Sequence, residues 1–293
     1  MIDLHTHTTW SDGIQTVHEL LQNSEKQGLR YLSITDHNTV DAYSELENPD
    51  VRNLFSGKII PGIEVIFTWN NISNELLGYG VDIEVIAKNE FFSAEFRKKL
   101  ELEFILSVRK MYEKLGFNLP SIEELAESVE RTGTARSMFL ATLNNQENLA
   151  IANEKLGCQN LSEFRKWRQK QVISSSGQYH TPFPMSYDME TASKVIRDAG
   201  GLVFMAHIMR VGDSAMEMLE YAATNKLIDG VEVYYHDPFI PHTPEQIATL
   251  EEFAKKHNLL VSGGSDNHRL ERPLSELTTE QVNFVLSPKL KTI

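Results

Sequence analysis

Cysteine is almost missing: Cys158 is the only one in 293 residues. No internal disulfide framework can form, and a reducing compartment is expected. No apolar run approaches the ~20 residues of a bilayer span. The first residues lack the basic, apolar and small-residue succession of a secretory signal. A cytoplasmic protein with no membrane partner is therefore expected. Positive charge is also scarce, with 28 Lys and Arg against 41 Asp and Glu and a net charge of −13. That balance disfavours a surface that tracks duplex DNA phosphates. It leaves an anionic substrate open, because bound cations would dominate the local field. Repeats and low-complexity tracts are absent as well. What remains is ordinary for a globular chain, 41% hydrophobic and 24% charged, and long enough for one large domain or a domain with an insertion.

Strand and helix patterns alternate at both ends of the chain. Strands are predicted at Ile2 to His5, Tyr31 to Thr35, Lys58 to Val65 and Glu75 to Val81, then at Gly201 to Ala206, Gly230 to Tyr234 and Leu259 to Val261. Helices are predicted from Thr16 to a stop at Gly28, over Val40 to Leu46, and later over Met189 to Ala199, Ala215 to Ala223 and Pro244 to His257. Such alternation implies an α/β fold with a parallel sheet or barrel. The middle is different, with helical patterns over Phe91 to Leu115, Ile122 to Val129, Arg136 to Leu143 and Leu161 to Val172, then a Ser174-Ser175-Ser176-Gly177 linker. The expected organisation is a discontinuous barrel, 1–90 and 178–293, interrupted by a helical insertion, 91–177, that covers the active site. The basic clusters at Arg97-Lys98-Lys99 and Arg165 to Lys170 read as solvated helix faces.

His5 and His7 project to the same side of an extended strand, and Asp12 follows within a short loop. Alone, the pair fits a polar strand end whose histidines bind water. The rest of the chain repeats the arrangement: Asp36 and His37 follow the second strand, Glu64 lies in the third, His207 follows Ala206, and Asp266 and His268 follow the last. In α/β barrels functional groups gather at the carboxyl ends of the strands. Imidazole and carboxylate together suit Zn, Fe or Mn.

The segments Asp3-Leu4-His5-Thr6-His7 with Ser11-Asp12-Gly13, Ile34-Thr35-Asp36-His37-Asn38, Pro61-Gly62-Ile63-Glu64, Ala206-His207 and Gly264-Ser265-Asp266-Asn267-His268 resemble the PHP (polymerase and histidinol phosphatase) family of metal-dependent phosphoesterases. The resemblance implies a distorted seven-stranded (β/α)7 barrel holding two or three divalent metals (Mn, Fe or Zn). It places His5, His7, Glu64 and Asp266 on one metal. Glu64 bridges to a second, completed by His207, while Asp12, His37 and His268 hold a third. Asp36 is expected to orient a histidine by accepting its other N–H. Where relatives commonly have a histidine before Leu-Leu-Gly-Tyr, this chain has Glu75, which can still coordinate and favours harder metals; Asn74 is another donor to consider.

The implied chemistry is in-line attack on phosphorus by a metal-activated hydroxide, with metals and arginines neutralising the developing charge. Arg210, three residues after His207, is a candidate phosphate contact. His242, at the start of a helix, is a candidate for substrate or metal; Tyr234, Tyr235 and His236, which end another strand, are lesser candidates. Cys158, His18 and His257 read as structural. The helical insertion narrows the resemblance to the branch that dephosphorylates nucleoside 3′,5′-bisphosphates, some members of which trim short single-stranded RNA. That branch often has Gly-Arg-Pro-His where this chain has Gly133-Thr134-Ala135-Arg136, so Arg136 stands in as a phosphate contact, and Tyr179 and His180 are placed near the same pocket. The expected substrate is a small phosphorylated nucleotide or a short oligonucleotide. Two alternatives are a histidinol-phosphate-type phosphatase and a metal-dependent amidohydrolase. The latter commonly uses a bridging lysine, where Glu64 stands here, and has no routine counterpart of Asp12 with Asp36-His37.

Overall fold

The computed structural model describes residues 1–132, 134–173, 177–179, 187–237, 241–268, 274–288 and 290–293. In chain order the elements are β1 (Ile2–Thr6), α1 (Val17–Lys26), β2 (Tyr31–Ile34), α2 (Pro49–Arg52), β3 (Lys58–Ile59), β4 (Gly62–Trp69), β5 (Ile72–Tyr79) and α3 (Ile83–Ala87). Five helices follow: α4 (Ala94–Lys114), α5 (Ile122–Thr132), α6 (Arg136–Leu143), α7 (Gln146–Leu156) and α8 (Leu161–Arg168). The chain returns through β6 (Tyr187–Asp188), α9 (Met189–Asp198), β7 (Leu202–Met205), α10 (Ala215–Thr224), β8 (Gly230–Tyr235), α11 (Pro244–His257) and β9 (Leu260–Gly264). Among the described residues no helix is long and apolar enough to cross a membrane.

One sheet runs β1-β2-β3 and another β6-β4-β5-β7-β8-β9. Two isolated parallel bridges join them, His37 to Glu64 and Thr6 to Asn267. The strands β1, β2, β4, β5, β7, β8 and β9 thereby close a distorted seven-stranded α/β barrel. The closure at β9 depends on Gly264, where a Cβ would lie 2.4 Å from the Cβ of His5. Only a glycine lets the last strand approach the first so closely.

The pattern of apolar residues explains the layers. In α1, Val17, Leu20 and Leu21 form a buried stripe, and Thr16 and Glu19 close a capping box at its start. These residues join the outward faces of the strands, including Ile63, Val65, Phe67, Val203, Met205, Val231 and Val233, in the largest hydrophobic cluster. A second cluster, with Leu4, Leu77, Tyr79 and Phe204, packs against the turn Asn283–Leu286. The helices between β5 and β6 build a third around Tyr112, Phe117, Phe139 and Phe164.

Four local features differ from the sequence expectations. The strand expected over 58–65 is divided at Pro61, which has no N–H to continue a ladder; β3 pairs with β2, and β4 turns to β5. Further, β4–β5 and β5–β7 are antiparallel, because Asn70 (φ 48°) and Asn71 (φ 62°) make a two-residue hairpin loop with both residues left-handed. Residues 40–46, expected as a helix, tighten into a 3₁₀ segment, Asp41–Glu47. The helix α7, capped by Asn145 and ended by Gly157 at φ 71°, was not anticipated. Of the Ser174 to Gly177 linker only Gly177 lies within the described residues.

Candidate metal centre

The barrel carries nine histidine and carboxylate side chains to one end. His5 leaves the end of β1 and His7 follows it, held by its backbone N–H donating to the Asn267 carbonyl (3.0 Å). The chain then turns sharply at Thr8 to Gly13. The Ser11 and Gly13 amides both donate to the Thr8 carbonyl, and a Cβ on Gly13 would lie 2.6 Å from the backbone of His7. This turn returns Asp12 to face His7.

Glu64 sits at the centre, fully buried. Its Oε2 lies 3.3 Å from His5 Nε2, 3.3 Å from His7 Nε2 and 3.1 Å from His37 Nδ1, while Oε1 lies 3.1 Å from His207 Nε2. Asp266 places Oδ1 3.4 Å from His5 Nε2 and 3.1 Å from His7 Nε2; its Oδ2 accepts from Tyr235 OH at 2.7 Å. Asp12 Oδ1 faces His268 Nε2 at 3.1 Å and His37 Nε2 at 3.6 Å. Glu75 Oε2 is 3.7 Å from His207 Nε2. Four groups of donors lie close enough to share an ion: His5, His7 and Glu64; His5, His207 and Asp266; Glu64, Glu75 and His207; and His7, Asp12, His37 and His268.

These residues fit divalent cations. His5 Nε2, both ring nitrogens of His7, Asp12 Oδ1, His37 Nδ1 and Glu64 Oε2 are buried and make no hydrogen bond. An interior leaves so many polar atoms unpaired only where something else meets them. Electrostatics agree. Burial opposes the charge on His7, but Asp266 and Glu64 beside it outweigh burial and hold its pKa up to about 10. His37 goes the other way, to about 4, because burial exceeds the help of Asp12 and Glu64. Burial also works against the carboxylates of Glu64, Asp266 and Asp12, yet the surrounding imidazoles hold all three well below the usual range. Burial raises Glu75. Acids and bases so placed share protons, which a bound cation would replace.

Other sequence candidates fall around this cluster. Asp36 accepts from the Thr8 amide (2.7 Å), the Thr8 hydroxyl (2.7 Å) and the Ser11 hydroxyl (2.5 Å). It thus fixes the Asp12 turn, whereas it was expected to take a histidine N–H. Glu232, which sequence reasoning missed, accepts from His5 Nδ1 at 2.9 Å and from the His207 amide at 2.8 Å. Its only signal was an acid inside the strand Gly230-Val231-Glu232-Val233. The Asn74 amide donates to the Ala206 carbonyl; Glu75 is the residue that faces His207. Arg210 stands beside the cluster, 3.5 Å from Asp266 Oδ2 and 3.2 Å from Tyr235 OH. Arg136 is bound between Asp12 Oδ2 (2.9 Å) and Glu101 Oε2 (2.9 Å).

His242 remains outside the donor groups; its Nδ1 lies 2.9 Å from the Val233 carbonyl. Tyr234 bonds Glu251, and His236 lies 3.4 Å from Ser275 Oγ. Tyr179 lies tilted against Trp167 in the helical cluster, ring centroids 5.6 Å apart, while His180 and Gly133 lie outside the described residues. A cavity of about 410 Å³ opens beside Asp12 and His37 and extends to α4 and Arg136.

Comparison with known proteins places these observations. The PHP domain model matches residues 3–164, more than half of the chain. The chain is 25% identical over 269 residues to the 5′-3′ exoribonuclease Rnm of Escherichia coli, covering 91% of this chain and 85% of that protein. It is 24% identical over 277 residues to the 3′,5′-nucleoside bisphosphate phosphatase of Chromobacterium violaceum, covering 91% and 87%. Its fold is similar to that of a protein from Bifidobacterium adolescentis assigned as a metal-dependent phosphoesterase, with a TM-score of 0.65, 24% identity and coverage of 94% and 90%.

Proposed function

This chain belongs to the PHP-domain family of metal-dependent phosphoesterases, and from that premise we propose that it hydrolyses phosphate esters of small nucleotides, of the 3′,5′-bisphosphate type, or of short oligonucleotides. The reading is carried by one observation: unpaired, buried donor atoms converge at the strand ends, beside an open cavity. Two or three divalent cations (Mn, Fe or Zn) bound at these donors would supply an activated water and neutralise phosphate charge.

In this reading His5, His7, Glu64 and Asp266 hold one ion, and Glu64 shares a second with His207 and Glu75. Asp12, His37 and His268 hold a third, with His7 alongside. Glu232 fixes the His5 ring from behind, and Asp36 fixes the turn that carries Asp12. Arg210 binds the phosphoryl oxygens, its planar fork suited to a bidentate contact. Arg136 aligns Asp12 by holding one carboxylate oxygen and leaving the other toward the histidines. The helices α4 to α8 form an inserted unit, within the span 91–177, that contributes one wall of the cavity through α4 and α6.

The test is phosphate release in the presence of Mn, Fe(II) or Zn from adenosine 3′,5′-bisphosphate, histidinol phosphate and short 5′-phosphorylated RNA. Release from the nucleotide or the RNA is expected. His7→Ala and Asp266→Ala should each lower kcat/KM by more than the roughly 100-fold typical of changes behind a metal ligand, with circular dichroism unchanged. No release from any of the three, together with hydrolysis of amides or lactones, would overturn the proposal.

A further inference from the structure

The wall of the cavity next to the metal centre contains Trp10, two residues before Asp12. Its side chain is 40% exposed, an unusual state for so large an apolar surface. It is nevertheless fixed. The indole Nε1 donates to Glu45 Oε1 at 2.6 Å, and the backbone N–H donates to the Thr8 hydroxyl at 3.2 Å. That hydroxyl is bound in turn by Asp36. Trp10 and Asp12 therefore belong to one hydrogen-bonded turn, which sets the indole beside the candidate metal donors. Among the described residues no aromatic ring is paired with it.

The charged side chains of the same cavity are largely engaged. Arg97 pairs with Asp41, Lys98 with Glu130, and Arg136 with Asp12 and Glu101. The exposed indole of Trp10 lines the wall with Ile66 and Leu100, beside the polar Thr9, Asn38 and Thr134. We propose that Trp10 is a stacking platform for the base of the nucleotide whose phosphate occupies the metal centre, and so determines the preference for nucleotides over base-free phosphate esters. Stacking on a pre-fixed ring is tolerant of base identity, because every base has a π face.

This inference rests on the phosphoesterase reading, and its test separates the two. Trp10→Ala and Trp10→Phe are compared with the unaltered enzyme on adenosine 3′,5′-bisphosphate and on ribose 5-phosphate. The ratio of kcat/KM for the nucleotide over the sugar phosphate should fall roughly tenfold or more in W10A, through KM, and be mostly retained in W10F. An unchanged ratio, including an equal loss on both substrates, would overturn the stacking role while leaving the phosphoesterase reading intact. Binding of adenosine 5′-monophosphate by calorimetry to the metal-loaded protein decides the matter even if neither ester is hydrolysed. Weaker binding to W10A than to W10F supports the platform, and equal binding refutes it.

Discussion

Glu232 is fully buried in the middle of β8, between two valines that face the hydrophobic layer. A carboxylate there is costly unless its oxygens are bonded, and both are: one to the His5 ring and one to the His207 amide. The residue thus fixes which nitrogen of His5 points at Glu64 and Asp266. Glu232→Gln keeps the shape but weakens the acceptor, so metal affinity at the His5 sites should fall about 10- to 100-fold, read by metal titration, with the melting temperature nearly unchanged. An unaltered affinity would show that the ring is oriented by packing alone. The candidate ligands differ from it. That His5, His7, Asp12, His37, Glu64, His207, Asp266 and His268 gather at one end of the barrel was legible because each stands at or near a strand end in a recognisable local motif. Glu232 was not, since its partners come from β1 and the turn after β7, and no local pattern announces a contact across 227 positions. Arg136 likewise gave no sign that it would be held by Glu101, 35 residues earlier.

Between residue and molecule, the β4–β5 hairpin decides how two of the site's carboxylates meet. Its register pairs Glu64 with Leu77 and Ile66 with Glu75, and a slip by one residue would turn each side chain to the opposite face. The Asn70-Asn71 loop sets that register, with both residues at positive φ. Replacing either by valine should destabilise the fold by about 1–2 kcal/mol, and the loss should show in urea denaturation. The double variant should also loosen the Glu64–Glu75–His207 group, lowering metal occupancy there before it affects the Asp12 group. Valine variants as stable as the parent would place the register elsewhere. Sequence patterns recovered the strands of the ring because apolar runs between turn residues survive in either direction of pairing. They did not reveal antiparallel pairing, which here depends on two asparagines, or the break at Pro61.

At the scale of the whole chain, two bodies of packing meet at a seam that joins aromatic contacts, such as Phe96 on Phe91, to a polar network. The helices α4 to α8 have their own apolar cluster, centred on the fully buried Phe164, whose ring lies 5.5 Å from Phe117 and 6.1 Å from Trp167. The barrel clusters contain none of these residues. Across the seam, Asp12 of the candidate metal centre is bound to Arg136, and Arg136 to Glu101, which also accepts from Thr134. Phe164→Ala removes the central ring of the helical cluster and should cost about 3–5 kcal/mol of its stability. Because the two apolar clusters share no residue, the loss should not spread evenly. Unfolding should become biphasic, and limited proteolysis should cut first within residues 94–173 while the barrel fragments stay protected. Metal content supplies the second reading. Once the helices loosen, Arg136 no longer holds Asp12, so occupancy of the Asp12–His37–His268 group should drop while ions held by Glu64 remain. A single transition with all metal lost together would mean that the barrel depends on the helices for its fold, and that the seam is part of one core.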